Sequence, residues 1–294
     1  WTLQAQPLGT NRVQPNVTGE ELRITSSEAG FQFGVDVVMG DFNADGKKDL
    51  AVSSNDDNTT NNVNRVYIFY NDGDYPLGSN NADVIIALSN ENITSVEAPL
   101  AAADLNNDGK TDLIAGSPYA SGTPGAAYIF YNDGSYPDSY TGADVTIAGS
   151  GAHNNTGSAF ATGDFNSDGT VDLAIGAAGL SSTSVNGYVY LFYNDGSYPS
   201  SISSADVTIT SETTGTYFGS SMVAGDINAD GKTDLVVGAQ RYNSGNGRVY
   251  LFYNDGSIPT TAATADVIIT GEATGDYFGV SLTLGDLNAD GETR

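Results

Sequence analysis

The sequence predicts an all-β fold on three observations. An acidic segment, Gly-Asp-Phe-Asn-Ala-Asp-Gly at 40–46, recurs in related form, and the first Asp of successive copies is spaced by 63, 60, 62 and 60 residues. Segments rich in β-branched and aromatic residues recur in the same order between these copies, and they are too short for helices. Asn-Asp-Gly tripeptides follow the third of these segments and supply residues that can turn a strand.

Each repeat contains four predicted strands. The first precedes the acidic segment, as at 278–284, and the second follows it, as at 234–238. The third contains Tyr and Phe, as at 249–253, and the fourth begins with Ala-Asp-Val, as at 265–269. A unit of four short antiparallel strands that repeats along a chain is typical of a propeller blade. We therefore predict a β-propeller with four complete four-stranded antiparallel blades.

The domain organisation follows from where the repeats begin and end. We predict a single repeat domain over 1–294, in which residues 31–277 form the four complete blades. Residues 1–30 are interpreted as the third and fourth strands of a part-blade, and residues 278–294 as the start of a further blade. Two interpretations remain open. The chain is a fragment of a longer propeller, or the part-blades complete one blade, in a five-bladed ring or between subunits that self-assemble through open sheet edges, even into filaments.

The composition excludes several classes of function. Asp and Glu number 36 against 10 Lys and Arg, so the net charge of −26 argues against a nucleic-acid partner. A hydrophobic content of 39%, with 17 Tyr and 11 Phe, indicates a folded chain rather than a disordered acidic one. The chain has no cysteine for disulfide or thiolate chemistry, and no apolar run is long enough to span a membrane.

The acidic segment offers the oxygen ligands that Ca²⁺ prefers. Counted from its first Asp, side chains at positions 1, 3 and 5 turn toward one point, Gly at position 6 permits a reversal, the backbone carbonyl at position 7 points inward, and Asp at position 9 completes the set. Four copies are intact, and the fifth is incomplete because Arg294 stands at its position 9. The predicted ligands are Asp41, Asn43, Asp45, Lys47 and Asp49; Asp104, Asn106, Asp108, Lys110 and Asp112; Asp164, Asn166, Asp168, Thr170 and Asp172; Asp226, Asn228, Asp230, Lys232 and Asp234; and, in the fifth copy, Asp286, Asn288 and Asp290.

Three other interpretations of the acidic segment compete with a calcium loop. An EF-hand begins in the same way but requires an acidic residue at position 12 and flanking helices. Position 12 here is apolar in all intact copies, which carry Val52, Ala115, Ile175 and Val237. Mg²⁺ is disfavoured because it demands near-octahedral geometry. Asn/Asp/Gly turns that hold no metal remain the alternative for the four intact copies, and occupancy of the fifth is open.

The motifs resemble the FG-GAP repeat of integrin α-subunit β-propellers and their bacterial and archaeal relatives. The Phe-Gly element is matched by Phe33-Gly34, Phe218-Gly219 and Phe278-Gly279, and the Gly-Ala-Pro element by Gly116-Ser117-Pro118 and Gly176-Ala177-Ala178. The departures are Val96-Glu97 and Thr156-Gly157 at the Phe-Gly position, and Ser53-Ser54-Asn55 at the Gly-Ala-Pro position. The resemblance implies a seven-bladed propeller whose loops bind calcium on one face as structural sites.

These observations predict an extracellular or cell-surface β-propeller, stabilised by calcium, that acts as a binding, adhesion or structural module and not as an enzyme. Its protein or glycan partner is undetermined. The alternatives are a carbohydrate-binding lectin and a non-catalytic propeller attached to a hydrolase. Third-strand Tyr and Phe residues are interpreted as packing between blades rather than as sugar platforms, and His153, the single histidine, has no catalytic partner in the sequence.

Overall fold

The fold is an array of four antiparallel sheets. The structure, a computed structural model, describes residues 24–25, 31–56, 63–73, 78–88, 98–118, 124–151, 155–179 and 184–285. Blade 1 consists of β1 (Phe31–Gly40), β2 (Asp49–Asp56), β3 (Arg65–Phe69) and β4 (Val84–Ala87), and blade 2 of β5 (Leu100–Ala103), β6 (Asp112–Ser117), β7 (Ala126–Phe130) and β8 (Val145–Ala148). Blade 3 consists of β9 (Thr156–Gly163), β10 (Asp172–Ala177), β11 (Tyr188–Phe192) and β12 (Val207–Thr210), and blade 4 of β13 (Phe218–Gly225), β14 (Asp234–Ala239), β15 (Arg248–Phe252) and β16 (Val267–Thr270). Consecutive strands pair in chain order within each sheet, which confirms four complete blades.

Helical structure in the described ranges is limited to short connections. A 3-10 helix lies between the third and fourth strand of each blade, at Ser79–Asn81, Tyr140–Gly142, Ile202–Ser204 and Ala262–Thr264. The segment Tyr242–Gly245 is a single turn in which Asn243 and Ser244 have φ values of 48° and 60°, so it is a tight turn rather than a helix. No helix in these ranges is long and apolar enough to cross a membrane.

The observed strand ends differ from the predicted ones for one reason that recurs in every blade. The N–H of Tyr70 donates to the Asp83 carboxylate at 2.8 Å instead of continuing the ladder, so β3 ends at Phe69 and β4 begins at Val84. The same bond joins Tyr131 to Asp144, Tyr193 to Asp206 and Tyr253 to Asp266. The Ala-Asp-Val tripeptide is therefore a strand cap, and the prediction that the fourth strand starts at its Ala was wrong by two residues.

The chain ends were only partly predictable. The predicted strand at 278–284 is not formed, because Phe278 makes a single bridge to Gly247 and no neighbouring strand pairs with the residues that follow in the described range. Thr25 pairs in parallel with Gly78 as Thr210 pairs with Thr261, so Ile24 and Thr25 occupy the place of a fourth strand before blade 1. The rest of the predicted N-terminal part-blade lies outside the described residues.

The hydrophobic cores lie between blades. Residues of blades 1 and 2, of blades 2 and 3, and of blades 3 and 4 form three separate buried clusters. Phe218 is fully buried and packs edge-to-face on Tyr250 at 5.3 Å and on Phe252 at 6.5 Å. The third-strand aromatics Tyr67, Phe69, Tyr128, Phe130, Tyr190, Phe192, Tyr250 and Phe252 are all buried, which confirms their interpretation as packing residues.

Pairs of glycines bring neighbouring blades into close contact. A Cβ atom placed on Gly176 of blade 3 would lie 2.1 Å from the carbonyl oxygen of Gly219 of blade 4, and Gly116 and Gly157 are related in the same way. Gly219 has a φ of +86°, a conformation that disfavours other residues. The Gly of the Phe-Gly element therefore faces the Gly of the Gly-Ala-Pro element in the preceding blade. This contact explains why each element carries a glycine at that position.

We call the interface between two neighbouring blades a seam. The seam between blades 1 and 2 differs from those that contain a pair of glycines. Ser53 replaces the glycine on the blade 1 side, and Glu97, which lies outside the described residues, replaces its partner on the blade 2 side. The Asp36 carboxylate of blade 1 accepts the Leu100 N–H of blade 2 at 2.8 Å, and the Asp36 N–H donates to the Ser53 hydroxyl at 3.0 Å. Burial raises the pKa of Asp36, against the opposing effect of the N–H groups of Leu100 and Val37. Asp36 and Ser53 thus make a polar contact between blades 1 and 2.

We expect Gly176→Ala to destabilise the chain by about 3 kcal/mol, because its Cβ would overlap backbone atoms that cannot move aside. Urea unfolding measures the change. Gly78→Ala is the matched control, since its Cβ would meet its nearest atom at 3.9 Å, and it should leave the free energy of unfolding nearly unchanged. Equal effects of the two substitutions would contradict the close glycine contact.

Asp36 should make stability depend on pH. Because its pKa is raised in the folded chain, its contribution to stability is complete below the ordinary value of 3.8 and is lost as the pH rises through the raised value. Asp36→Asn removes this titration but also removes one acceptor for an N–H group. The free energy of unfolding of the parent should therefore fall relative to that of the variant as the pH rises above 3.8. Urea unfolding in EDTA across this range measures the difference. Asp255→Asn, at an exposed site, controls for net charge, and parallel curves for parent and Asp36→Asn would overturn the prediction.

Candidate metal centre

The acidic loops and the Asn-Asp-Gly turns lie at the same end of each blade, which we call the loop face. In an antiparallel meander the connection from the first to the second strand and the connection from the third to the fourth share one edge. The loop face therefore comprises loops 41–48, 104–111, 164–171 and 226–233 with the turns at 71–73, 132–134, 194–196 and 254–256. The repeat places one predicted metal loop and one turn side by side in every blade.

Within each loop the side chains at positions 1 and 3 fold inward. The Asp45 N–H is shared by Asp41 Oδ1 and Asn43 Oδ1, each at 3.0 Å, and the Gly46 N–H donates to Asp41 Oδ2 at 2.8 Å. Both side chains thus turn to one side of the loop, as the alternation predicted. The same bonds recur in the loops of blades 2, 3 and 4 at closely similar distances.

Two residues in each loop adopt left-handed backbone conformations. In blade 1 these are Ala44 with a φ of 59° and Gly46 with a φ of 85°. The sequence identified only the glycine, because position 4 carries Ala, Asn, Ser and Ala in the four copies. A left-handed Ala costs roughly 1–2 kcal/mol, so the surrounding hydrogen bonds must hold this conformation in place.

The Asp at position 9 is fully buried and ties the loop to the turn. Asp49 Oδ2 accepts the Phe42 N–H, and Asp49 Oδ1 accepts the Asn71 N–H, both at 2.8 Å. Asp112, Asp172 and Asp234 repeat this pair of bonds in the other blades. These four predicted ligands therefore also have a structural role that the sequence did not reveal.

Burial and negative charge both act on these carboxylates. Burial is the main reason why the pKa of Asp112 is raised to about 6, and the nearby charges of Asp108 and Asp104 raise it further. The pKa values of Asp49 and Asp172 are raised for the same main reason. A cation at the loop would offset this unfavourable concentration of negative charge.

In blades 1, 2 and 3 the side chain at position 7 lies beside the carboxylate at position 5, although the prediction gave it only a backbone role. Lys47 Nζ is 3.4 Å from Asp45 Oδ2 and donates to the carbonyl of Asn71 at 3.0 Å. In blade 3 the Thr170 hydroxyl donates to Asp168, and this bond is the main cause of the lowered pKa of Asp168. In blade 1 the Lys47 N–H is the main cause of the lowered pKa of Asp45.

The turn Asn of blades 2, 3 and 4 reaches the preceding blade. Asn194 Nδ2 donates to the carbonyl of Leu105 at 3.0 Å, and Asn254 Nδ2 donates to the carbonyl of Phe165 at 2.9 Å. Asn132 Nδ2 donates instead to the carbonyl of Asp41, at 3.0 Å. The sequence signal for this contact was the strict recurrence of Asn in tripeptides where a turn alone would also accept Asp or Gly.

The donor set fits calcium, but its members are not assembled into a cage. In the ranges that the structure describes, no group of three His, Cys, Asp or Glu side chains is arranged to hold a metal ion. The carboxylate oxygens accept N–H groups of the loop instead, and the position 9 Asp is turned toward the base of the loop. All ligating atoms would be hard oxygens, which is the chemistry that calcium prefers. The predicted ligands Asp286, Asn288 and Asp290, together with His153, lie outside the described residues, so calcium remains a prediction in every loop.

Comparisons with known proteins find the same repeat. Residues 218–252 match the FG-GAP repeat, and residues 41–115 and 104–175 match the FG-GAP-like repeat. Phosphatidylinositol-glycan-specific phospholipase D of Mus musculus is 36% identical over 201 residues, which are 62% of this chain and 24% of that protein. Integrin alpha-7 of Homo sapiens is 33% identical over 183 residues, which are 61% of this chain and 14% of that protein. The matched region is thus a small part of each relative.

We expect Asn254→Ala to destabilise the chain by about 2 kcal/mol, because it leaves the buried carbonyl of Phe165 without its donor from the next blade. Thermal unfolding in EDTA measures this effect independently of any ion. Asn80→Ala removes an exposed Asn from the same face and should have an effect below about 0.5 kcal/mol. If both variants unfold like the parent, the turn Asn does not join the blades.

Proposed function

Because the chain belongs to the FG-GAP repeat family of β-propeller proteins, we propose that it is a calcium-stabilised binding, adhesion or structural module that acts outside the cell or at its surface and performs no catalysis itself. The observation that carries this proposal is the fourfold recurrence of one oxygen-rich loop, with the same internal hydrogen bonds, on a single face. Turns that merely reverse the chain would not require three carboxylates in every copy.

Calcium would be held in blade 1 by the side chains of Asp41, Asn43, Asp45 and Asp49 and by the carbonyl of Lys47, and by the same positions of the next three blades. The bound ion supplies positive charge that neutralises the three carboxylates of a loop. The residues themselves position their oxygens through the left-handed backbone at positions 4 and 6 and through the buried Asp at position 9.

An extracellular setting is supported by the similarity to integrin alpha-7. The strongly negative chain leaves a protein or a glycan as the partner rather than a nucleic acid.

Two alternatives have their own support. A carbohydrate-binding role is favoured by Tyr217 and Tyr277, which occupy the same repeat position with φ values of 60° and 50°. Arg241 lies over the Tyr217 ring at 4.8 Å, and Tyr277 is 44% exposed, so aromatic surface is held in a strained conformation opposite the loop face. A non-catalytic propeller within a larger hydrolase is favoured by the match to part of a phospholipase D.

We expect chelation by EDTA to lower the melting temperature and added Ca²⁺ to restore it. A calcium concentration of about 100 times Kd stabilises a folded chain by about 2.7 kcal/mol per site. Asp45→Ala and Asp108→Ala should each reduce the number of ions bound in isothermal titration calorimetry by one and shrink the rise in melting temperature. Asp72→Ala removes an exposed charge from the neighbouring turn and should retain the full response. An unchanged melting temperature after chelation would remove the proposed role of calcium.

A further inference from the structure

We propose that the four loops bind calcium with graded affinity, tightest in blade 3 and weakest in blade 1, and that the residue at position 7 sets this order together with its neighbour at position 8. This inference rests on the proposed calcium function. The predicted ligands are of the same type in all four intact loops, so a difference in calcium affinity must come from other residues.

Position 7 carries Lys in three loops and Thr in one. Lys110 Nζ lies 3.7 Å from Asp108 Oδ2 in blade 2, in the arrangement that Lys47 adopts in blade 1. In blade 3 the neutral hydroxyl of Thr170 takes this place and donates to Asp168. A positive charge therefore lies beside the predicted ligands of blades 1 and 2, while blade 3 has the same contact without the charge.

The ammonium group is held by a partner that calcium does not use. Lys110 Nζ donates to the carbonyl of Asn132 at 2.9 Å, and the Thr170 hydroxyl donates to the carbonyl of Asn194 at 3.2 Å, which is the equivalent atom of the next turn. Neither carbonyl belongs to the predicted ligand set. This bond can persist when an ion takes the carboxylates, so the lysine charge stays beside the site.

The charges of the loops then give the order. The blade 3 loop has three Asp and no Lys, the loops of blades 2 and 4 have three Asp and one Lys, and the blade 1 loop has three Asp with Lys47 and Lys48. A unit charge about 6 Å from a divalent cation in a water-like dielectric changes its affinity roughly ten-fold. Screening at about 0.15 M salt lowers this effect, so we expect differences of roughly three- to ten-fold per lysine.

A calcium titration of the full chain labelled with ¹⁵N-glycine can resolve the loops. The N–H groups of Gly46, Gly109, Gly169 and Gly231 each donate to the first Asp of their own loop, so each amide signal reports its own site. After treatment with EDTA and dialysis, the Gly169 signal should shift at the lowest calcium concentration, those of Gly109 and Gly231 next, and that of Gly46 last.

Exchanging the side chains tests the cause. Thr170→Lys should weaken the blade 3 loop and Lys110→Thr should strengthen the blade 2 loop, each by three- to ten-fold, and the double variant should reverse their order. Thr170→Gln is the matched control, because it has a long side chain without charge and should keep blade 3 tightest. About 1 M NaCl should bring the four affinities together, since its screening length is roughly 3 Å.

The outcomes separate this inference from the function on which it rests. Calcium binding in which the four glycines shift together, or in which Thr170→Lys and Thr170→Gln behave alike, overturns the graded affinity and leaves the calcium sites in place. The absence of any glycine shift up to roughly 10 mM calcium, beyond the range of extracellular modules, overturns the proposed calcium function itself.

Discussion

In every blade a buried carboxylate at the start of the second strand accepts one N–H from the beginning of the acidic loop and another from the Asn-Asp-Gly turn. A charge buried without such donors would be strongly destabilising, so each Asp requires both segments to be in place. The turn that it holds then presents its Asn to the preceding blade, as Asn254 does to Phe165. The geometry of the loop, the position of the turn and the contact between blades therefore depend on one side chain per repeat.

The contacts between blades also depend on a few residues that recur in the repeat. Gly176 and Gly219 allow two backbones to approach more closely than any side chain permits, and the aromatic residues of the third strand fill the space beside them. The first seam lacks this glycine pair and instead has Asp36 between the blades, where it accepts the Leu100 N–H. The seam between blades 1 and 2 thus contains a carboxylate that titrates, whereas the seam between blades 3 and 4 contains a close backbone contact that does not. The two seams should therefore respond differently to pH.

The sequence predicted the architecture and the chemistry of the loops, because a repeat shows every strand four times and position-specific residues such as Gly46 stand out. It placed the end of the third strand one residue too late, since nothing in a propensity pattern shows that Tyr70 gives its N–H to Asp83. The buried state of Asp49 and the bond from Asn254 to Phe165 depend on contacts between segments far apart in the chain. Residues 278–284 form no strand in the described range, because no second strand pairs with them there.

The two glycines of a seam lie on different blades, and this limits how far the repeats are interchangeable. Each blade carries the second half of one contact on its first strand and the first half of the next on its second strand. Excision of blade 2 would bring Ser53 against Gly157, two residues that belong to different kinds of seam. A blade can therefore be duplicated, removed or transplanted without a mismatch only if the residues that face each other across the new seam are of the same kind. This requirement limits how these repeats can be rearranged in a gene.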